Sequence, residues 1–196
     1  MKTISEKITN ELIIKNSKFI TIIYPITSIE NIQGLIDETK LVYPKATHYC
    51  YAYIINDIKR SSDDKEPSGT AGTPMLNVLT KESYTNILVI TVRYFGGIKL
   101  GAGGLVRAYS KSVKEALNIA TTIDLELGYR VQITASYSQQ KELDYLLKNA
   151  LIIKKEYQEK IEYEVLISKD SIQLLNNYDH KILKEEYISK RTKTNF

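Results

Sequence analysis

NILVITVRYFGGIKLGAGGLVRAYS, residues 86–110, is the segment from which the fold can be argued. Its first part, Ile87–Tyr94, is apolar and rich in β-branched residues without a helical period, which predicts a buried strand. The next part, Phe95–Gly104, contains five of the nine glycines in the chain. From Leu105 onward, apolar residues recur at helical spacing. The sequence therefore predicts a strand, a glycine-rich segment and a helix, in that order.

This order of elements is a recurrent way to bind an anion. Glycine permits positive φ and close approach of the backbone, and the first N–H groups of a helix have no acceptor inside the helix. The segment is neither a Walker A sequence nor a G-x-G-x-x-G fingerprint, so no nucleotide cofactor is predicted. A loop that needs glycine only for turning and packing is the alternative. The candidate phosphate- or RNA-binding residues are Arg93, Gly96, Gly97, Lys99, Gly101, Gly103, Gly104, Arg107, Lys111 and Lys114.

A second polar segment lies upstream, in the turn-rich region 58–73. Three carboxylates, those of Asp63, Asp64 and Glu66, fall within four positions. They could hold Mg²⁺ or act as an acid–base pair, or instead cap local N–H groups and pair with Arg93 or Arg107. Because the two segments have complementary charge, we expect them to fold against each other. The residues expected to face the site from this side are His48, Asp63, Asp64, Glu66, Ser68, Gly69 and Thr70.

His48 and Cys50 fall on one face of a predicted strand, residues 48–56. Residues two apart on a strand are separated by about 6.5–7 Å, which makes a directly paired Cys–His nucleophile awkward. A buried cysteine beside a hydrogen-bonded histidine is the preferred interpretation, and His48 stays a candidate for lining the site. Ser68 is not in a G-x-S-x-G elbow, so no hydrolase chemistry is predicted from Ser68, Cys50 or His48.

The two polar segments carry a family resemblance. Arg93-Tyr-Phe-Gly-Gly-Ile-Lys-Leu-Gly-Ala-Gly-Gly-Leu-Val-Arg-Ala-Tyr109 and Asp63-Asp-Lys-Glu-Pro-Ser-Gly-Thr-Ala-Gly72 together resemble the IMPACT/YigZ family. Lys65 departs from the pattern, since the family commonly has glycine there. The resemblance implies an α+β fold, with a domain like ribosomal protein S5 domain 2 (1–126) followed by a small ferredoxin-like domain (127–196). It also implies regulation of translation under stress, with RNA or the ribosome as partner.

The residue pattern of the C-terminal third agrees with that expectation. After a predicted linker at Asp124–Gly128, strands and helices alternate in the ferredoxin-like order β-α-β-β-α-β. This part contains one glycine, Gly128, and no cluster of polar residues that suggests chemistry. The predicted strands are 129–135, 151–157, 160–167 and 182–189, with helices beginning near Ser136 or Ser138 and near Ser168 or Asp170.

Composition sets further limits on function. The net charge of +4 is only a weak indication of nucleic-acid binding. A single cysteine excludes an intrachain disulfide and, with two histidines, argues against structural zinc. No signal peptide is recognised, and the most apolar run, 87–92, is far shorter than the ~20 residues of a membrane helix. A cytoplasmic protein without cofactor, metal or membrane association is expected.

Three functions remain open at this point. The first is a non-catalytic protein that binds phosphate groups of RNA or of the ribosome and so regulates translation, with a protein partner possible. The second is a phosphate-handling enzyme that uses the 96–104 glycine segment together with Asp63, Asp64 or Glu66. The third is a purely structural role in which the two segments pack against each other. The sequence does not indicate an oligomeric state.

Overall fold

The computed structural model describes residues 1–190 and has a mixed α/β fold. The chain divides into two compact units, Met1–Ile123 and Asp124–Phe196. The division falls at 123/124, whereas the sequence predicted 126/127. Each unit has hydrophobic core clusters formed from its own residues. No helix within residues 1–190 is both long enough and apolar enough to span a bilayer.

The first unit is built on an antiparallel sheet with strand order β2-β3-β6-β4-β5. The predicted strand Ile87–Tyr94 is its central strand, β6, and is buried along almost its whole length. Helices cover both faces of the sheet, which explains why β6 is apolar without alternation. The elements are β1 (Lys2–Ile4), β2 (Ile8–Ile14), β3 (Ser17–Pro25), α1 (Ile32–Val42), β4 (His48–Ile55), β5 (Ile58–Ser62), α2 (Gly72–Lys81), β6 (Ile87–Tyr94) and α3 (Ala102–Asn118).

Strand β5 and the start of α3 differ from the sequence prediction in ways that bear on the site. Residues 58–62 form β5, an exposed edge strand paired with β4, where a loop was predicted. Its sequence, Ile-Lys-Arg-Ser-Ser, lacks the alternation and β-branched content by which a strand is usually recognised. Helix α3 begins at Ala102, ahead of the predicted start at Leu105. The two glycines before Leu105 concealed this start, because glycine disfavours a helix.

The second unit follows the predicted alternation of strands and helices. Its strands pair antiparallel in the order β10-β7-β9-β8. The second predicted helix is a 3₁₀ helix, Lys169–Leu175. The predicted linker Asp124–Gly128 is wrong: these residues belong to a long β7, because Leu125 to Gly128 pair with Ser189 to Glu186. The elements are β7 (Thr122–Ala135), α4 (Gln140–Leu146), β8 (Leu151–Tyr157), β9 (Ile161–Ser168) and β10 (Asp179–Ser189), with shorter 3₁₀ helices at Tyr137–Gln139 and Leu147–Asn149.

Candidate functional site

The site lies at the carboxyl end of β6, where Arg93 is the last fully buried residue of the strand. Arg93 is paired with Phe19 of β3 on one side and with His48 of β4 on the other. Directly paired residues point to the same face of a sheet. This face is the one that α3 covers, since the Tyr109 ring meets the Phe19 ring edge to face at 5.2 Å. The sheet register therefore brings three site residues together under α3.

A buried cluster of charged and polar groups forms at this point. Arg93 Nη1 donates to Glu66 Oε1 at 2.6 Å, and the Tyr109 hydroxyl donates to the same oxygen at 2.8 Å. The Glu66 and Arg93 side chains are only 3% and 6% exposed, so each charge depends on the other for compensation. The predicted contact between the two polar segments is confirmed, and Glu66–Arg93 is the ion pair that makes it.

The neighbouring carboxylates have a different role. Asp63 accepts backbone N–H groups from Gly69, Ala71 and Gly72 at 2.8–2.9 Å. Burial alone would raise the pKa of Asp63, but these three donors outweigh it and lower the pKa. Asp64 Oδ2 accepts the Tyr49 N–H at 2.7 Å. Asp63 therefore caps backbone groups of its own loop, which was one of the two interpretations left open by the sequence, and Asp64 binds the loop to the backbone of β4.

The three carboxylates do not converge on a common point that would suit Mg²⁺. Within residues 1–190, no group of three or more His, Cys, Asp or Glu side chains is arranged to hold a metal ion. Asp63 is engaged by three backbone donors and Glu66 by Arg93 and Tyr109. A divalent cation that used Asp63 or Glu66 Oε1 as a ligand would compete with these donors for the oxygen lone pairs.

His48 and Cys50 are both held by backbone carbonyls of residues 63–71, the segment between β5 and α2 that we call the acidic loop. His48 Nδ1 lies 2.8 Å from the Asp64 carbonyl oxygen, and the Cys50 thiol donates to the Asp63 carbonyl at 3.0 Å. Burial raises the pKa of Cys50, which keeps the sulfur in the unreactive thiol form. The interpretation of a buried cysteine beside a hydrogen-bonded histidine is confirmed.

The tip of the acidic loop is held by local turns. Lys65 has φ of 68°, in the left-handed region that favours glycine, which is the residue that the family resemblance led us to expect at this position. Thr70 is buried and its hydroxyl donates to the Pro67 carbonyl at 2.6 Å. Gly69 also has positive φ, at 75°. Ser68 is exposed at the tip. These residues shape the loop.

The first glycine of the glycine-rich segment is required for packing. A Cβ atom at Gly96 would overlap the backbone of Asn16 and Ser17, in the turn between β2 and β3. The Gly96 N–H donates to Ser17 Oγ at 3.2 Å, and Ser17 Oγ also accepts from Arg93 Nη2 at 3.4 Å. The amide of Gly96 and the guanidinium of Arg93 are thus engaged within the protein.

The other four glycines allow unusual backbone angles or leave the backbone accessible to solvent. Gly97 and Gly101 have φ of 82° and 71°, with nothing close to the position of an added Cβ. A Cβ at Gly104 would press on the Leu100 side chain at 3.1 Å, whereas one at Gly103 would meet only the end of the Arg107 side chain at 3.6 Å. The segment is therefore open toward solvent at the start of α3.

A cavity of about 280 Å³ opens between the acidic loop and the glycine-rich segment. Five of the residues predicted for the site line it: His48, Glu66, Arg93, Lys99 and Gly101. The remaining lining residues are Thr47, Pro67, Phe95, Leu100, Ala102 and Leu105. The start of α3 forms part of the wall, because Gly101 is its N-cap residue and Ala102 its first residue.

The start of α3 carries no negative charge. Gly101 provides no capping side chain, and the first turn of the helix contains no acidic residue. The N–H groups of this turn have no acceptor within the helix and carry its partial positive charge. This end of the helix therefore offers donors to an anion.

A basic face continues from this point along α3. Arg107, Lys111 and Lys114 follow one another at spacings of four and three, so they share a face of the helix, and all three are exposed. Lys99, also exposed, precedes the helix at the cavity. None of the ion pairs found among residues 1–190 involves any of these four cations. We call Lys99, Arg107, Lys111 and Lys114 the basic face.

Several polar contacts of the site come from residues that were not predicted for it from the sequence. Tyr109 was not among the predicted site residues, although a buried tyrosine hydroxyl needs a hydrogen-bond partner and thus signals a polar neighbour. Ser17 and Thr47 come from other parts of the chain, and Thr47 Oγ1 accepts the Phe95 N–H at 3.0 Å. No local pattern indicated these two residues, since their role depends on the register of the sheet.

The sequence and fold of this chain are similar to those of known proteins. The family model of the Impact N-terminal domain matches residues 15–117, which include the acidic loop, the glycine-rich segment and all of the basic face. The chain belongs to the IMPACT family.

Relatives of known sequence and structure agree with this assignment. IMPACT family member YvyE of Bacillus subtilis (strain 168) is 38% identical over 170 residues, covering 84% of this chain and 78% of that protein. IMPACT family member YigZ of Escherichia coli (strain K12) is 40% identical over 114 residues, or 56% of each chain. A crystal structure of a hypothetical protein, 29% identical, superposes with a TM-score of 0.68 and covers 92% of this chain and 95% of its own.

Proposed function

We propose that the protein acts by binding the phosphate groups of an RNA strand, through the start of α3 and the basic face. The observation that carries this proposal is the combination of an uncapped helix start, without acidic residues, and a line of exposed cations beside it. Phosphate oxygens accept from such N–H groups, and cations spaced along the helix can follow successive phosphates. A single inorganic anion would use only the first part of this surface.

The alternative, a phosphate-handling enzyme, receives less support. It needs carboxylates free to bind Mg²⁺ or to accept a proton from substrate. Asp63 and Asp64 accept backbone N–H groups, and Glu66 is the counter-ion of a buried arginine. Cys50 is a buried thiol whose pKa is raised by burial. The site therefore favours binding over catalysis.

We also propose a fold type for each of the two units and a biological setting for the binding. An S5 domain 2-like first unit and a ferredoxin-like second unit are the descriptions that the family resemblance implies. The strand order β10-β7-β9-β8 and the strand–helix–strand–strand–helix–strand succession support the second. Regulation of translation, with the ribosome or a translational complex as the source of the RNA, is the setting in which such binding would act.

Salt dependence of binding to short single-stranded RNA tests the proposal. If three or four cations each neutralise one phosphate, log affinity should fall with log salt at a slope of about −2 to −3. Arg107→Ala should weaken binding to all sequences alike and reduce the slope by about 0.7. Folding should be unaffected, because Arg107 is exposed and takes part in no ion pair found among residues 1–190.

Lys59→Ala is the matched control, since it removes one exposed cation from β5, on the opposite edge of the sheet from β2. This variant should keep the slope of the parent protein. The proposal fails if the protein binds no RNA at low salt, or if Arg107→Ala and Lys59→Ala have the same effect.

A further inference from the structure

Phosphate binding leaves the cavity beside the basic face without a role. Most of its wall is apolar, formed by Pro67, Phe95, Leu100, Ala102 and Leu105. Apolar surface does not bind phosphate, and it is stabilised by contact with an apolar group. A ligand that fits both features has a phosphate next to a flat apolar group. A nucleotide of an RNA strand has this composition.

Phe95 is placed to stack with such a group. Its side chain lines the cavity and yet remains 47% exposed. The guanidinium of Arg93 lies 5.6 Å from the ring centroid, in a cation–π contact. Proteins that bind single strands use aromatic rings of this kind as platforms for bases. The exposed ring at the mouth of the cavity is therefore a stacking surface next to the start of α3.

The polar residues of the cavity indicate which hydrogen-bonding group a bound base would present to them. Because the partner of His48 Nδ1 is a carbonyl oxygen, Nδ1 is the donor of this contact, and the other ring nitrogen, Nε2, lies on the side of Glu66. Glu66 Oε2 lies 3.7 Å from Nε2, beyond hydrogen-bond distance, while Oε1 takes the donors of Arg93 and Tyr109. Glu66, which lines the cavity, thus has one carboxylate oxygen without a hydrogen-bond donor among the described residues, which suits a donor such as the exocyclic amino group of adenine or cytosine.

We propose that the cavity takes one unstacked base of a single-stranded RNA, with its ring on Phe95 and its exocyclic amino group toward His48 and Glu66. This inference rests on the proposed function, because the adjoining phosphate is the one held at the start of α3. The volume of about 280 Å³ is sufficient for one base, and a base must leave its stack and its pairing partner to enter between the two loops. Recognition is then of single strands, with adenine or cytosine preferred to uracil.

The test compares oligouridines that differ at one central position, which carries adenosine, uridine or an abasic ribose. Adenosine should bind about tenfold more tightly than the abasic oligomer, as expected for one stacked and hydrogen-bonded base, with uridine between them. All three oligomers have the same number of phosphates and should share one salt slope. Equal affinities for the three would overturn the inference and leave the cavity to another apolar occupant.

Phe95→Ala should abolish the difference between adenosine and abasic oligomers without changing the salt slope. Ile98→Ala is its matched control, because Ile98 belongs to the same segment, is 45% exposed and does not line the cavity. This control should keep the difference. Retention of the base preference in Phe95→Ala would also overturn the inference. Salt-dependent binding without any base preference would contradict only the inference that the cavity binds a base. Failure of every oligomer to bind would contradict the proposed function itself.

Discussion

Each unit of the protein contains an arginine paired with carboxylates, and the two arrangements differ in burial. In the first unit, Arg93 Nη1 contacts Glu66 at 2.6 Å under α3, where both side chains are almost fully buried. In the second unit, Arg130 contacts Glu164 at 2.7 Å and Glu186 at 2.9 Å, and its side chain is 28% exposed. The distances are similar, but the surroundings are not.

The difference shows why the same pair of residue types has different consequences in the two units. A buried charge that loses its partner cannot be solvated by water, so removal of one partner is costly. A partly exposed pair competes with water and with salt, and its contribution is small. The Arg93 pair therefore determines whether the site exists, whereas the Arg130 pair adds only a local contact on a sheet surface.

Glu66→Ala is expected to produce the largest effect. It leaves the Arg93 guanidinium buried without a counter-ion and the Tyr109 hydroxyl without its acceptor. We expect a loss of about 3–5 kcal/mol in the free energy of unfolding of the first unit. Urea denaturation followed by a probe in each unit measures it. A loss below about 1 kcal/mol would contradict the comparison, because the buried pair would then behave like a surface pair.

Asp63→Asn is expected to produce an intermediate effect. The substitution replaces one acceptor oxygen by an NH₂ group and removes the charge that three backbone N–H groups stabilise. We expect a loss of about 1–2 kcal/mol at neutral pH, since the group is partly exposed. We also expect the loop that positions Glu66 to become more mobile in this variant, because its turn loses these contacts.

The pH dependence of the Asp63→Asn difference has a defined sign. The pKa of Asp63 is lowered in the folded protein, so its contribution is complete above the ordinary carboxyl pKa of about 3.9. It is lost as the pH falls through the lowered pKa. The gap in stability between the parent and Asp63→Asn should therefore close in acid. A gap that widens on acidification would contradict the three N–H contacts.

Glu164→Ala is expected to produce the smallest effect and is the counterpart of Glu66→Ala in the second unit. Arg130 keeps Glu186 as a partner and remains in contact with water. We expect a loss of about 0.2–1 kcal/mol, smaller still at high salt. Denaturation of the same protein at low and high ionic strength checks it. A loss as large as that of Glu66→Ala would remove the distinction between the two arginines.

The fold could be predicted wherever local pattern and burial agreed. Ile87–Tyr94 matches β6 because a central strand covered on both faces is apolar throughout. The start of α3 and the strand β5 were missed, since glycines and polar residues there override the usual signals. The long β7 was missed because its first part is set by pairing with β10, more than fifty residues later in the chain.

The candidate site could be predicted in outline. Complementary charge predicted that residues 63–72 fold against residues 93–107, and the Glu66–Arg93 contact confirms it. Sequence could not tell which carboxylate would pair with arginine, because that choice depends on the register between β4 and β6 and on the turn held by Asp63. The phosphate-binding roles of the glycines and of the basic face remain predictions.

The close packing of Gly96 restrains one wall of the cavity, which is the wall formed by its neighbour Phe95. The Gly96 backbone lies so close to Asn16 and Ser17 that the strand exit and the hairpin turn can move only together, and Phe95 moves with them. At Gly97 and Gly101 no atom lies within 4 Å of the position of an added Cβ, so the backbone at these two points is not packed against a neighbour as it is at Gly96. We therefore expect the wall formed by Phe95 to be more rigid than the wall formed by the residues that follow Gly97. Ligands of different size would be accommodated by displacement of the exposed residues 98 and 99, while the Phe95 ring keeps its position and Leu100 stays packed against the core.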